Sequence, residues 1–260
     1  MRRGFIDGFD PRSTQAFQGM SAPSSARFYG WADRLGRRLG VEVEGVERVP
    51  EGRVLIVANH TFGFDIVFPM AAVYRRTGRV VWALGEHAWW RLPFLRRLAV
   101  EVGIVDGTQE NAGALLSQDQ LVLVMPGGLR ESVKPHELRY RLLWGRRYGF
   151  VRAAIKHGAP LVPLAAVGAD DLFDLVGDPF ARGKRLLGRF AFPLPRPRVG
   201  LHIPHRVKLR YIFGEPLWPR AAPEQVDDAE LVRRTRLEVQ GALEELIDNE
   251  LARRAGFPCD

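Results

Sequence analysis

Residues 54–70 read VLIVANHTFGFDIVFPM, and the architecture follows from how this stretch divides. Its first five residues, Val54 to Ala58, form an unbroken apolar run, the pattern of a strand covered on both faces. Asn59-His60 interrupts the run, and Asp65 stands five positions after His60. Apolar sequence then resumes with Ile66, Val67, Phe68 and Met70, which reads as a helix from about residue 65 to 76. A titratable pair therefore falls where a strand ends and a helix begins, the place where open α/β sheets bind ligands.

Working outward, further apolar runs alternate with helical segments. Strands are expected at residues 41–46 (a short edge strand), 79–84, 120–125, 161–167 and 206–213, with a short segment opening at 103–105. Helices are expected at 88–100, 108–118 and 149–158, the last closed by a glycine, and from Asp227 or Asp228 as cap to about Arg254. Residues 24–39 form an N-terminal amphipathic helix in which Phe28, Trp31, Leu35 and Leu39 share a face, with arginines around them. That face either docks on the core or lies in a lipid surface beside its arginines. Residues 1–23 read as a mobile tail, and residues 179–205 as irregular and basic. The expected fold is α/β: one domain over 24–260, built on a mixed, largely parallel central sheet flanked by helices and closed by a long C-terminal helix.

Bulk properties bound the function. The 260 residues carry 38 Lys and Arg against 30 Asp and Glu, a formal charge of +8 that favours anionic partners. The single cysteine, Cys259, excludes an intrachain disulfide and a cysteine-based zinc site. The six histidines show no paired ligand spacing, so no metal is expected, and no G-x-S-x-G elbow marks a serine hydrolase. No window of about 20 apolar residues suits a spanning helix, and no secretory signal opens the chain.

His60 and Asp65 suit acid–base chemistry. A histidine near its ordinary pKa of about 6.5 accepts protons at neutral pH, and a carboxylate on its other ring nitrogen fixes the tautomer. The competing reading is a surface histidine and a helix-capping aspartate. A second cluster favours the first reading. After the strand at 120–125 comes Pro126-Gly127-Gly128-Leu129-Arg130-Glu131-Ser132, again at a strand end. The two glycines allow close backbone approach to a ligand, and Arg130 supplies a fork suited to phosphate or carboxylate.

At these residues the chain resembles the glycerolipid acyltransferases. NHTFGFD is similar to that family's N-H-x-x-x-x-D block, MPGGLRES to its F-P-E-G-T-R-S block, and Pro160 to Leu164 to a later V-P strand block, in the same order. The resemblance implies His60 as general base for an acceptor hydroxyl, Asp65 as its orienting carboxylate, and Asn59, Gly127, Gly128, Arg130 and Glu131 as substrate-binding residues. It implies an acyl thioester donor (acyl-CoA or acyl carrier protein), a glycerolipid acceptor, no cofactor, and a peripheral place on the cytoplasmic side of a membrane. Gly127 stands where the block has glutamate, and the acid reappears as Glu131, an arrangement similar to the type-2 mono- and diacylglycerol acyltransferase branch. Asp106-Gly107 stands where that family carries an arginine. The alternatives are a non-catalytic lipid- or nucleotide-binding protein on the same scaffold and, from charge alone, a nucleic-acid binder, for which no module is recognisable; no nucleic-acid partner is expected.

Overall fold

The structure, a computed structural model, describes residues 22–61, 66–85, 99, 102–132, 134–171, 173–174, 196–197 and 207–256. Asp65, nearly all of the helix expected at 88–100, most of the basic stretch at 179–205, and residues 1–21 of the expected tail lie outside them.

Helix α1 (Ala22–Leu39) leads into β1 (Glu42–Glu44), β2 (Val54–Ala58), α2 (Val67–Thr77), β3 (Val81–Gly85) and β4 (Ile104–Asp106). The chain continues through α3 (Gln109–Ser117), β5 (Leu121–Val124), the short α4 (Gly128–Ser132), α5 (Gly149–His157) and β6 (Leu161–Val167). A two-residue pair, β7 (Phe173–Asp174) and β8 (Arg196–Pro197), precedes β9 (Arg210–Phe213) and α6 (Ala229–Arg254). The main sheet has seven strands in the order β1-β9-β6-β2-β5-β3-β4. The five from β6 to β4 are parallel, while β9 runs against β6 and β1 runs with β9. The largely parallel sheet read from the sequence is thus present, with its reversed strands gathered at one edge.

β2 lies near the centre, and its alternation builds two cores. Val54, Ile56 and Ala58 join Tyr29 and Ala32 of α1 and Met70, Ala71 and Val73 of α2 on one face. Leu55 and Val57 join Leu115 and Leu116 of α3, the buried face of α5, and Val239, Leu243 and Ile247 of α6 on the other. Burial of each large aliphatic side chain contributes about 1.5–3 kcal/mol, which is why the strand is apolar at every position. Element boundaries carry their own chemistry. Thr108 caps α3 by accepting from the Asn111 amide at 3.0 Å, Asp228 caps α6 by accepting from the amides of Glu230 and Leu231 at 3.0 Å, and Gly78 ends α2 in the left-handed region. Pro163 sits within β6 without breaking the sheet. Its carbonyl accepts from Gly214 at 2.8 Å, one residue past the last β6–β9 pair, where the ladder needs no N–H.

α1 corrects the expected face. Its fully buried residues are Tyr29, Ala32 and Gly36, which pack against α2, and the helix includes Ala22 and Pro23 of the expected tail. Phe28 and Leu35 are half-buried, and Trp31 and Leu39 are exposed, Trp31 at 55%. Close approach of two helices selects the small side of α1: a Cβ at Gly36 would press on the Phe68 ring at 3.1 Å.

α6 is tied to the reversed edge by Glu250. This buried carboxylate receives Arg253 and Arg254 at 2.8 Å and Arg210 of β9 at 3.2 Å. Burial raises its pKa, but the hydrogen bonds from Arg253 and Arg254 and the charge of Arg210 outweigh it, and the net direction is down. A carboxyl depressed in the folded state stabilises above its unfolded pKa, near 4.3, and loses that contribution as pH falls through its folded value. Glu250→Gln should therefore lower the urea midpoint at pH 7, and the gap from wild type should close below about pH 4. A gap that persists unchanged in acid would place the effect outside this charge.

Candidate active site

The loops that follow β2, β5 and β6 leave the same end of three adjacent strands, since these strands are parallel neighbours. Asn59 follows β2 directly with 0% exposure and spans to β6: its Oδ1 accepts from the Ala166 amide at 2.7 Å, and its Nδ2 donates to the Ala166 carbonyl at 2.9 Å. Only an amide side chain offers a donor and an acceptor to one backbone residue in this way. Asn59 carries a substrate-binding expectation from the resemblance; in the structure both of its polar atoms extend the sheet, and this fixes where the next residue leaves it.

That residue is His60, half-buried at the strand end. Its Nδ1 lies 2.9 Å from the Thr61 carbonyl. A carbonyl can only accept, so Nδ1 carries the proton, and in the neutral ring the basic lone pair belongs to Nε2. The His60 amide donates to Glu131 Oε1 at 2.6 Å, across 71 positions of sequence.

Beyond β5, the turn at Pro126-Gly127-Gly128 opens α4. Gly128 has φ +55°, and a side chain there would also strike the Arg147 guanidinium, which donates to the Pro126 carbonyl at 2.5 Å. Gly127 is not in the left-handed region; a Cβ there is excluded because it would overlap the Glu131 side chain. Arg130 is exposed, and among the described residues no hydrogen bond or ion pair holds its guanidinium.

Glu131, expected from the resemblance as a substrate-binding residue, is held on both oxygens by backbone amides. It is 0% exposed, and its second oxygen accepts from the Leu143 amide at 2.6 Å. Burial pushes its carboxyl above the usual range, partly offset by the His60 amide, the Lys134 charge and the Leu143 amide. Lys134, also buried, pairs with Asp170 at 2.8 Å in the loop after β6, and Asp170 accepts in turn from the Tyr140 amide at 2.9 Å. The Tyr140 hydroxyl donates to Asp171 at 2.6 Å, and Arg139 pairs with Asp171 at 2.7 Å. These polar groups sew the three strand-end loops together. The sequence reading passed over Lys134 and Asp170, whose pairing across two loops leaves no local signal.

The structure thus brings His60 and Glu131 into contact, sets the Gly127-Gly128 turn beside them, and leaves Arg130 facing outward. Asp106, at the end of β4, is buried at the far side of the sheet, about three strand spacings or roughly 14 Å from β2.

The model of the diacylglycerol acyltransferase family matches residues 50–189, which include β2, the glycine turn and β6. A Mus musculus protein named "DGAT1/2-independent enzyme synthesizing storage lipids" is 28% identical over 206 residues, covering 79% of this chain and 60% of that protein. Phytyl ester synthase 1 of Arabidopsis thaliana is 31% identical over 174 residues, covering 58% of this chain and 24% of that protein. The chain therefore spans less than two thirds of the length of these relatives. The crystal structure of the 1-acyl-sn-glycerophosphate acyltransferase PlsC from Thermotoga maritima shares the fold, with a TM-score of 0.54, 19% identity, and coverage of 91% of this chain and 87% of that one. With more than half of its length matched by the family model, this chain belongs to the diacylglycerol acyltransferase family.

Proposed function

We propose that this protein is an O-acyltransferase that moves a fatty acyl group from a thioester to a hydroxyl of a glycerolipid at a membrane surface. The observation that carries this reading is His60, whose Nδ1–H is committed to the Thr61 carbonyl so that Nε2 is the basic nitrogen, beside a glycine turn and the exposed Arg130. In the proposed reaction Nε2 takes the acceptor hydroxyl proton as the oxygen attacks the thioester carbonyl. The tetrahedral intermediate then collapses, the C–S bond breaks, and the leaving thiolate recovers the proton from the imidazolium. The family resemblance assigns Asp65 as the carboxylate that stabilises the charged form of this ring. Arg130 offers its donors to an anionic group of the donor or the acceptor. Base catalysis of this kind contributes about 10²–10⁴-fold.

The acceptor is lipid, and α1 suits the surface where it resides. Trp31 stacks on Phe28 at 6.4 Å and points outward, flanked by exposed Arg27, Arg34 and Arg38. Such a face favours anionic headgroups with shallow apolar insertion. Among the described residues no helix is long and apolar enough to cross a membrane.

The test presents purified protein with acyl-CoA, or acyl carrier protein loaded with the same chain, and anionic vesicles containing a panel of acylglycerols and lysophospholipids. Free thiol should accumulate together with an acylated lipid of matching mass, and the protein should sediment with the vesicles. Absence of thiol release with every donor and acceptor would overturn the enzymatic reading in favour of a binding protein. Activity on dispersed lipid with no vesicle sedimentation would overturn the surface role of α1.

A further inference from the structure

We infer that Glu131 is the positioning residue of this site: its buried carboxylate clamps the backbone at His60 to the segment that begins at Leu143, and Gly127 is glycine because that carboxylate lies where its side chain would be. The inference rests on the acyl-transfer reading only for its kinetic arm.

The geometry separates this role from substrate contact. Glu131 has no exposed surface, and each of its oxygens accepts from a different loop's amide at 2.6 Å. The far anchor is itself fixed. Trp144, next to Leu143, is fully buried, packs edge-on against Phe150 at 5.5 Å, and carries the Arg236 guanidinium over its ring at 5.7 Å. The near anchor is the base's own backbone, so a displacement at Glu131 is passed directly to the imidazole. Asn59 holds the preceding residue to β6, and the N–H of His60 is held by Glu131; together they fix the peptide on which the base is mounted.

Gly127 completes the arrangement. Its φ lies outside the left-handed region, and the three atoms nearest to an added Cβ all belong to the Glu131 side chain, folded back across its Cα, so that side chain accounts for the glycine. The neighbouring Gly128 differs, being required by its own φ of +55°. Gly127 and Glu131 are therefore one device written at two positions, and a change at either should displace the same carboxylate.

The experiment compares Glu131→Gln, Glu131→Asp, Gly127→Ala and the double variant Gly127→Ala/Glu131→Gln. Gln places an N–H₂ against a backbone N–H, while Asp keeps the charge beside Lys134 but falls one methylene short of the two amides. Each single variant should lower kcat about 100-fold, the scale set by sub-ångström misplacement of a reacting group, with KM for donor and acceptor within about threefold. The double should fall no more than about threefold below the worse single, because residues in contact are not independent. Amide hydrogen exchange supplies a readout that needs no activity. The His60 and Leu143 amides should exchange at least about tenfold faster in every variant, while those of Ile56 and Leu123 in the sheet stay protected.

Wild-type kcat in Glu131→Gln, full rescue by Asp, multiplicative losses in the double variant, or raised KM at constant kcat would each overturn the positioning role. So would unchanged exchange at His60 and Leu143. If the wild-type protein releases no thiol from any donor, the acyl-transfer reading fails by itself, and the exchange data alone decide for or against the clamp.

Discussion

His60→Ala is expected to reduce acyl transfer by about 10³-fold, the middle of the range for a lost general base, or about 4 kcal/mol of transition-state stabilisation. The fold should survive, because what His60 contributes to the scaffold is its backbone. The amide that donates to Glu131 Oε1 is retained in alanine, and the strand end is held by Asn59 through Ala166. What disappears is the ring, and with it the Nε2 lone pair that Nδ1–H···O=C at Thr61 sets in place. The measurement is the initial rate of thiol release with saturating donor and acceptor, with the urea midpoint recorded for the same preparation. A variant that keeps wild-type rates would remove His60 from the chemistry. A variant that loses both rate and midpoint would show that the ring is structural.

The largest expected effect on stability comes from the buried ion pair behind the site. Lys134→Met should lower the folding free energy by about 3–5 kcal/mol, the range for removing one partner of a buried pair. Asp170 would keep the Tyr140 amide at 2.9 Å but lose the ammonium at 2.8 Å, leaving a charge with little access to water. The same substitution removes the cation that favours the ionised form of Glu131, so that carboxyl should titrate still higher. Urea unfolding at pH 7 provides the measurement, read as a fall in midpoint without a change in slope. A loss under about 1 kcal/mol would mean that water reaches Asp170 and that the pair behaves like a surface one.

How much of this was legible follows from the range of each interaction. The apolar run at residues 54–58 needs only local period and length to be read as a buried central strand, and β2 begins and ends where that run does. The cap of α6 was legible to within one residue, Asp227 or Asp228, for the same reason, since a cap bonds amides two or three residues away, whereas Thr108 was read only as the first residue of its helix. α1 was legible as a helix, but its buried face was not. Large apolar residues at helical spacing mark an amphipathic face, whereas docking against α2 chose Ala32 and Gly36, whose value lies in being small. The reversed direction of β1 and β9 has no local signature, since strand direction is set by pairing partners.

The site divides in the same way. The residue types at His60, Gly127, Gly128 and Arg130 announce chemistry or close approach by themselves. Asn59 and Glu131 were noticed as residues of the motifs, but the backbone partners that hold them lie 107 and 71 positions away and have no local signature. Lys134 and Asp170 were invisible, since a buried pair between two loops reads in sequence as ordinary surface charge.

The bond between Asn59 and Ala166 also sets a clock for synthesis. The 107 residues between them take a ribosome about 5–20 s to add. During that interval β2 has left the exit tunnel with the edge that β6 will cover still bare, an all-apolar strand open to any other chain nearby. The feature that holds the base still in the finished protein cannot close until residue 166 of 260 has been added.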